Sequence, residues 1–134
     1  MRATKIVTSF IKDNDKLLIL KRSDKVKSMR GLWAGISGII ENDEEPLERA
    51  KIEIFEETGI TDEKITLIKS IGEMRVNSPQ YKNHEWEIFP FLFNATNPTI
   101  KLNWENSDFR WINVEELQNY ETVPSLQKVL LNLL

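Results

Sequence analysis

Apolar and polar positions alternate, run together or recur every three to four residues along this chain, and each pattern predicts a different element. Residues 3–12 (ATKIVTSFIK) are rich in β-branched and aromatic types, and residues 16–21 (KLLILK) are mostly apolar. Asp13-Asn14-Asp15 supplies a turn between them, so the two segments predict a β-hairpin. Residues 22–31 have no period and read as a polar loop. Residues 32–40 (LWAGISGII) predict a short strand, in which Gly35 and Gly38 mark close approach of the backbone to a ligand or to the following helix. Leu47, Ala50 and Ile54 form one helical stripe. Pro46 stands near its start, where a missing N–H does no harm, and Gly59 near its end, where a left-handed cap is wanted.

Residues 64–74 predict a further strand and 75–84 a loop, with Asn77, Pro79 and Asn83 as turn residues. Residues 85–95 (EWEIFPFLFNA) predict a strongly apolar strand, with Pro90 signalling a bulge or a sheet edge. Asn97-Pro98 ends it. Residues 108–113 predict a short strand and Val114 to Leu117 the start of a short helix. Pro124 opens a last helix, whose Leu126, Val129, Leu130 and Leu133 recur at helical spacing and pack on the sheet. Strands alternating with two or three helices predict an α/β fold, a mixed β-sheet between helical layers.

A length of 134 residues, 40% of them hydrophobic, suits one domain over 1–134 with its own core. The formal net charge of −3 argues against stable nucleic-acid binding. The absence of cysteine removes disulfides, thiolate nucleophiles and zinc–thiolate sites, and fits a reducing, cytoplasmic location. No apolar run approaches the roughly 20 residues needed to cross a bilayer, and the N-terminus lacks the apolar core of a signal peptide, so no membrane partner is expected.

Charge changes the picture most between Glu41 and Glu57. Eight of the 21 acidic residues fall there, against only Arg49 and Lys51. Such a segment repels itself unless something positive sits beside it, and hard divalent cations prefer oxygen ligands. Glu53, Glu56 and Glu57 lie at i, i+3 and i+4, which puts them on one helix face within about 100° of arc. Taken alone, that triplet reads first as a solvated helix face.

The whole stretch from Gly38 to Ile60, GIIENDEEPLERAKIEIFEETGI, resembles the signature of the Nudix (MutT-like) hydrolases, G-x5-E-x7-R-E-U-x-E-E-x-G-U, where U is aliphatic. Gly38, Glu44, Glu53, Ile54, Glu56, Glu57, Gly59 and Ile60 fall in register; Ile52 stands where the signature has arginine. The resemblance implies an α/β/α sandwich with a mixed sheet and the signature loop–helix on one face. It implies magnesium-dependent hydrolysis, with manganese as an alternative ion, of a pyrophosphate bond in a nucleoside diphosphate linked to another group. It further implies Glu53, Glu56 and Glu57 as metal ligands with a backbone carbonyl near Gly38, and Glu44 as a fourth catalytic carboxylate. The default substrate is a nucleoside or deoxynucleoside triphosphate, giving monophosphate and pyrophosphate, because the chain is short and lacks an extra recognition domain. ADP-ribose or dinucleotide pyrophosphatase activity is the alternative, and a catalytically silent nucleotide-binding module is a reading of another class. The expected partner is thus a small-molecule nucleotide, and pairing among relatives leaves room for a homodimer.

Other positions stay open. Glu53, Glu73, Glu85, Glu87 and Glu105 are all candidates for the general base. Lys21, Arg22, Lys25, Lys27 and Arg30 crowd into one segment, either as a solvated loop or as a phosphate clamp with Arg22 as the gripping fork. Trp33 and Trp86 neighbour the catalytic segments and are candidates to stack on a base, with Phe89 and Tyr81 behind them, although tryptophans are first of all core or rim residues. His84 reads as a surface loop residue. Ile52 is expected to join Phe55 in an apolar contact that supports the helix, while an Arg49–Glu53 pair at i, i+4 is the other substitute for the signature arginine.

Overall fold

The predicted hairpin forms from strands β1 (Arg2–Asp13) and β2 (Lys16–Arg22) in the computed structural model, which describes residues 2–77 and 83–134. Asn14 takes the left-handed conformation at its tip, with φ of 55°. The predicted strand 32–40 is two strands, β3 (Trp33–Ala34) and β4 (Ile36–Ile39). They part at Gly35: β3 pairs with β2, and β4 pairs antiparallel with β1. A Cβ at Gly35 would lie 2.8 Å from the Phe10 ring and 2.9 Å from the Ser9 carbonyl, so the close approach read from this glycine is to β1.

The predicted strand 64–74 is also broken. A 3-10 turn at Asp62–Lys64 leads into β5 (Thr66–Ser70), and β6 (Met74–Asn77) takes residues expected to be loop. Gly72, with φ of 72°, lies between them. Both pair antiparallel with β7 (His84–Asn94), β5 along Phe91 to Asn94 and β6 along Glu85 to Ile88. On its other side β7 runs parallel to β1 along its whole length. Pro90 therefore sits in an interior strand, contrary to the edge expectation. It is tolerated because it falls in the gap between β5 and β6, where neither strand requires an N–H from it. Strand β8 (Asn106–Ile112) completes the mixed sheet against β2, with a bulge between Lys21 and Arg22.

Side chains alternate across this sheet as the pleat requires. Leu18 and Leu20 of β2 and Phe91 and Phe93 of β7 join Ala50 and Ile54 of helix α1 (Pro46–Thr58). Leu17 and Ile19, with Ile88 and Leu92, join Leu126, Val129, Leu130 and Leu133 of helix α2 (Leu126–Leu133). The result is the expected sandwich, one helical layer on each face. Helix α2 begins later than Pro124, because Ser125 takes a left-handed conformation at its N-cap. The short helix expected from Val114 is a 3-10 segment, Val114–Asn119. Among the described residues, no helix is long and apolar enough to cross a membrane.

Candidate metal centre and substrate cleft

The signature segment folds as its residue types dictate. Pro46 opens α1, and Gly59 closes it in the left-handed region, donating its N–H to the Phe55 carbonyl at 2.9 Å. Because Ala50 and Ile54 turn into the core, Glu53 and Glu57 are carried inward with them, while Glu56 stays exposed. The Glu53 side chain lies across β4 at Gly38, where any Cβ would overlap its carboxyl group. Gly38 is thus needed for the helix to approach the strand. Gly38→Ala is expected to lower stability by about 1–2 kcal/mol through overpacking, measured by urea unfolding, and to displace Glu53.

Arg49 organises the acidic loop. Its Nε and Nη2 donate to the two oxygens of Glu44 at 2.9 and 2.6 Å, and its Nη1 donates to Glu53 Oε2 at 2.9 Å. Glu44 Oε1 also accepts the Glu41 N–H at 2.8 Å. Those bonds hold the Glu44 carboxyl below its ordinary range, the Arg49 bond first. Glu44 thus clamps the loop to the helix, and it is not among the carboxylates that converge on one another. Ile52 and Phe55 are both exposed, so the support expected from an apolar contact there comes instead from Arg49.

Oxygens of Glu53, Glu56 and Glu105 lie within 4.8 Å of one another, the arrangement a single ion would need. Glu57, which completes the triplet in sequence, stands outside that group. It is buried, and its Oε1 accepts a 3.0 Å hydrogen bond from the Asn106 amide. Its Oε2 has no hydrogen-bond partner among the described residues. Burial pushes the Glu53 carboxyl up, opposed by Arg49 and reinforced by Glu56 and Glu105. Burial, then the charge of Glu105, pushes Glu57 up further. Oxygen-only donors, mutual repulsion and an orphaned buried oxygen all fit a hard divalent cation.

Glu105 was legible only as one of five base candidates. Glu73, Glu85 and Glu87 gather instead around Arg75, at 3.7, 3.5 and 3.7 Å. No periodicity marks Glu105 or Asn106; pairing of β8 with β2 brings them to the helix.

Beside the cluster, on the α2 side of the sheet, opens a cleft of about 300 Å³. Arg22, Gly38 and Trp86 line it, with Ile88 and Val129 among its apolar walls. The Arg22 Nε donates to the Ser28 carbonyl at 3.2 Å, which orients the guanidinium from the end of β2. Trp33 does not reach this cleft. It is buried in the core and meets Tyr120 edge-on at 5.1 Å, so the stacking role expected of it is corrected to packing. Phe89 packs with the α1-side core, and Tyr81 lies outside the described residues. His84 is buried, with its Nε2 3.0 Å from the Thr4 hydroxyl and its ring edge-on to Trp86. It begins β7, and the loop expectation for it fails for that reason.

A family model described as NUDIX domain matches residues 2–133. Nucleoside triphosphatase NudI of Escherichia coli is 27% identical over 135 residues, covering 97% of this chain and 96% of that protein. RNA pyrophosphohydrolase of Bartonella bacilliformis is 32% identical over 104 residues, 64% of this chain and 60% of that protein, less than two thirds of its length. Among solved structures, the MutT protein from Methanosarcina mazei Go1 superposes with a TM-score of 0.72 at 23% identity, covering 93% of this chain and 87% of that one.

Proposed function

Because the chain belongs to the NUDIX domain family of hydrolases, which act on pyrophosphate bonds, we propose that it cleaves a nucleoside or deoxynucleoside triphosphate to the monophosphate and pyrophosphate. The observation that carries this reading is the convergence of Glu53, Glu56 and Glu105 next to a cleft lined by Arg22 and Trp86. Glu53, Glu56 and Glu105 would hold a magnesium ion, with the free oxygen of Glu57 behind them. When bound, that ion neutralises phosphate oxygens and lowers the pKa of a bound water. Arg22 presents a planar fork to a phosphate, and its positive charge faces Glu57 as well. Trp86 offers an aromatic ring to the base. Glu53 and Glu105 remain the candidates to take the proton from the attacking water, since both stand in the cluster. The full-length match to a nucleoside triphosphatase supports a triphosphate over the ADP-ribose and dinucleotide alternatives.

The test is a panel of nucleoside triphosphates, ADP-ribose and dinucleotides, each with magnesium in oxygen-18 water. Monophosphate and pyrophosphate from the triphosphates are expected, with the label identifying the phosphorus attacked. Release of inorganic phosphate alone, or turnover of ADP-ribose only, would overturn the reading. Tight nucleotide binding without turnover on any member would favour the silent binding module. Trp86→Ala is expected to raise KM about fivefold with kcat little changed, the lower end of what base stacking contributes.

A further inference from the structure

We infer that Ser23 is a positioning residue of this site, setting the Glu105 carboxylate against Glu53 and Glu56 through the backbone of the loop that carries it. The inference rests on reading the carboxylate cluster as a divalent-cation site. Ser23 is buried just past the end of β2, after the bulge between Lys21 and Arg22. Its backbone N–H donates to the Glu105 carbonyl at 2.8 Å, and its hydroxyl donates to the Trp104 carbonyl at 2.7 Å. The hydroxyl in turn accepts the Lys25 N–H at 3.2 Å. One residue thus fixes two consecutive carbonyls of the loop.

The loop is also stiff within itself. Asn103 Oδ1 accepts the Glu105 N–H at 3.0 Å, and Asn103 Nδ2 donates to Glu105 Oε1 at 3.1 Å. The next residue, Asn106, reaches Glu57. The Asn103 bonds set the loop's shape, and the Ser23 bonds set where that shape sits. On its other side Ser23 follows Arg22, whose side chain lines the cleft. The guanidinium on the cleft side and the carboxylate on the cluster side are therefore held to one frame, with Ser23 as the joint. Removing the hydroxyl frees the Trp104 carbonyl and lets Glu105 drift from the other two carboxylates. Outer groups that orient a metal ligand change affinity by about 10–100-fold.

Calorimetric titration of the intact chain with manganese tests this without relying on turnover. Ser23→Ala is expected to weaken manganese binding about tenfold, while Ser23→Thr, which keeps a hydroxyl, stays within about threefold of the parent. In a Glu105→Gln background, Ser23→Ala should add less than about a twofold loss, because the carboxylate it positions is already gone. Ser23→Cys puts a somewhat larger group with a weak donor in the same place and should shift affinity in the same direction as Ser23→Ala, which serves where the alanine variant folds poorly. Unchanged affinity in both Ser23→Ala and Ser23→Cys overturns the inference. So does an equal loss with and without the Glu105 carboxylate, which would make Ser23 a support of the fold alone. A parent chain that binds no manganese would instead bring down the cation-site reading, and the positioning role with it.

Discussion

Glu56→Gln is expected to cut turnover at least about 100-fold while changing unfolding stability by no more than about 0.5 kcal/mol. The amide is a poorer ligand for a hard ion than the carboxylate it replaces, at the same size. The floor on the effect comes from residues one shell further out, whose loss costs about 10–100-fold in metalloenzymes. Glu56 is the cleanest of the cluster to change because it is exposed and its side chain makes no hydrogen bond among the described residues. Glu53 is tied to Arg49, and Glu105 to Asn103, so their variants mix chemistry with folding. Surface substitutions of Glu56's kind usually move stability by less than about 0.5 kcal/mol. Steady-state rates at saturating magnesium, a manganese titration and a urea curve on the same preparation separate the two effects. Normal turnover in Glu56→Gln would remove the cluster from the reaction.

What the sequence made legible follows from how local each signal is. The strand at residues 16–21 was legible from four consecutive apolar residues, and the pleat then sends Leu17 and Ile19 to one core and Leu18 and Leu20 to the other. Gly38 and the Glu53–Glu57 segment were legible because one glycine, one helix turn and their spacing carry the whole pattern. Their partners were not. Glu105 is nearly fifty residues from Glu57 in the chain, and only the β2–β8 register brings it near. Trp33 was misassigned because neighbourhood in sequence stood in for neighbourhood in space: at Gly35 the chain leaves β3, on β2, for β4, on β1. Trp33 stays behind in the core while Gly38 goes on to the cleft. His84 was placed in the loop because that loop was carried one residue past its last turn residue, Asn83; the pairing of β7 with β1 shows the strand beginning at once after that turn. Pro90 looked like an edge because a single sequence cannot show that two separate strands share the flank of β7 and leave a gap opposite it.

Arg49→Ala is expected to lower stability by about 3 kcal/mol and to reduce turnover with it, whereas Ile52→Arg should change neither. Arg49 makes three charge-assisted hydrogen bonds, two to Glu44 and one to Glu53, from a side chain that is 13% exposed. Bonds of this kind contribute about 1.5–3 kcal/mol, and the larger part of the loss lies at Glu53. That carboxylate is buried against Gly38 and would be left beside Glu56 and Glu105 without its cation. At the other end the loop would lose the clamp that joins Glu44 to the helix. Position 52 offers no such reach, since Ile52 sits on the exposed flank of α1 together with Phe55. An arginine installed there would share the exposed flank with Glu48 and Glu56, one turn away on either side, and not the Glu44–Glu53 pair that Arg49 holds. Arg49→Lys keeps the charge but loses the fork, so it should recover the Glu53 pair and leave Glu44 singly held, with a loss between those of the parent and Arg49→Ala. Urea unfolding of these variants, with turnover measured alongside, decides the matter. If Ile52→Arg restores stability and rate to the Arg49→Ala chain, the signature arginine has not been replaced from one turn earlier, and the support of this helix lies at position 52 after all.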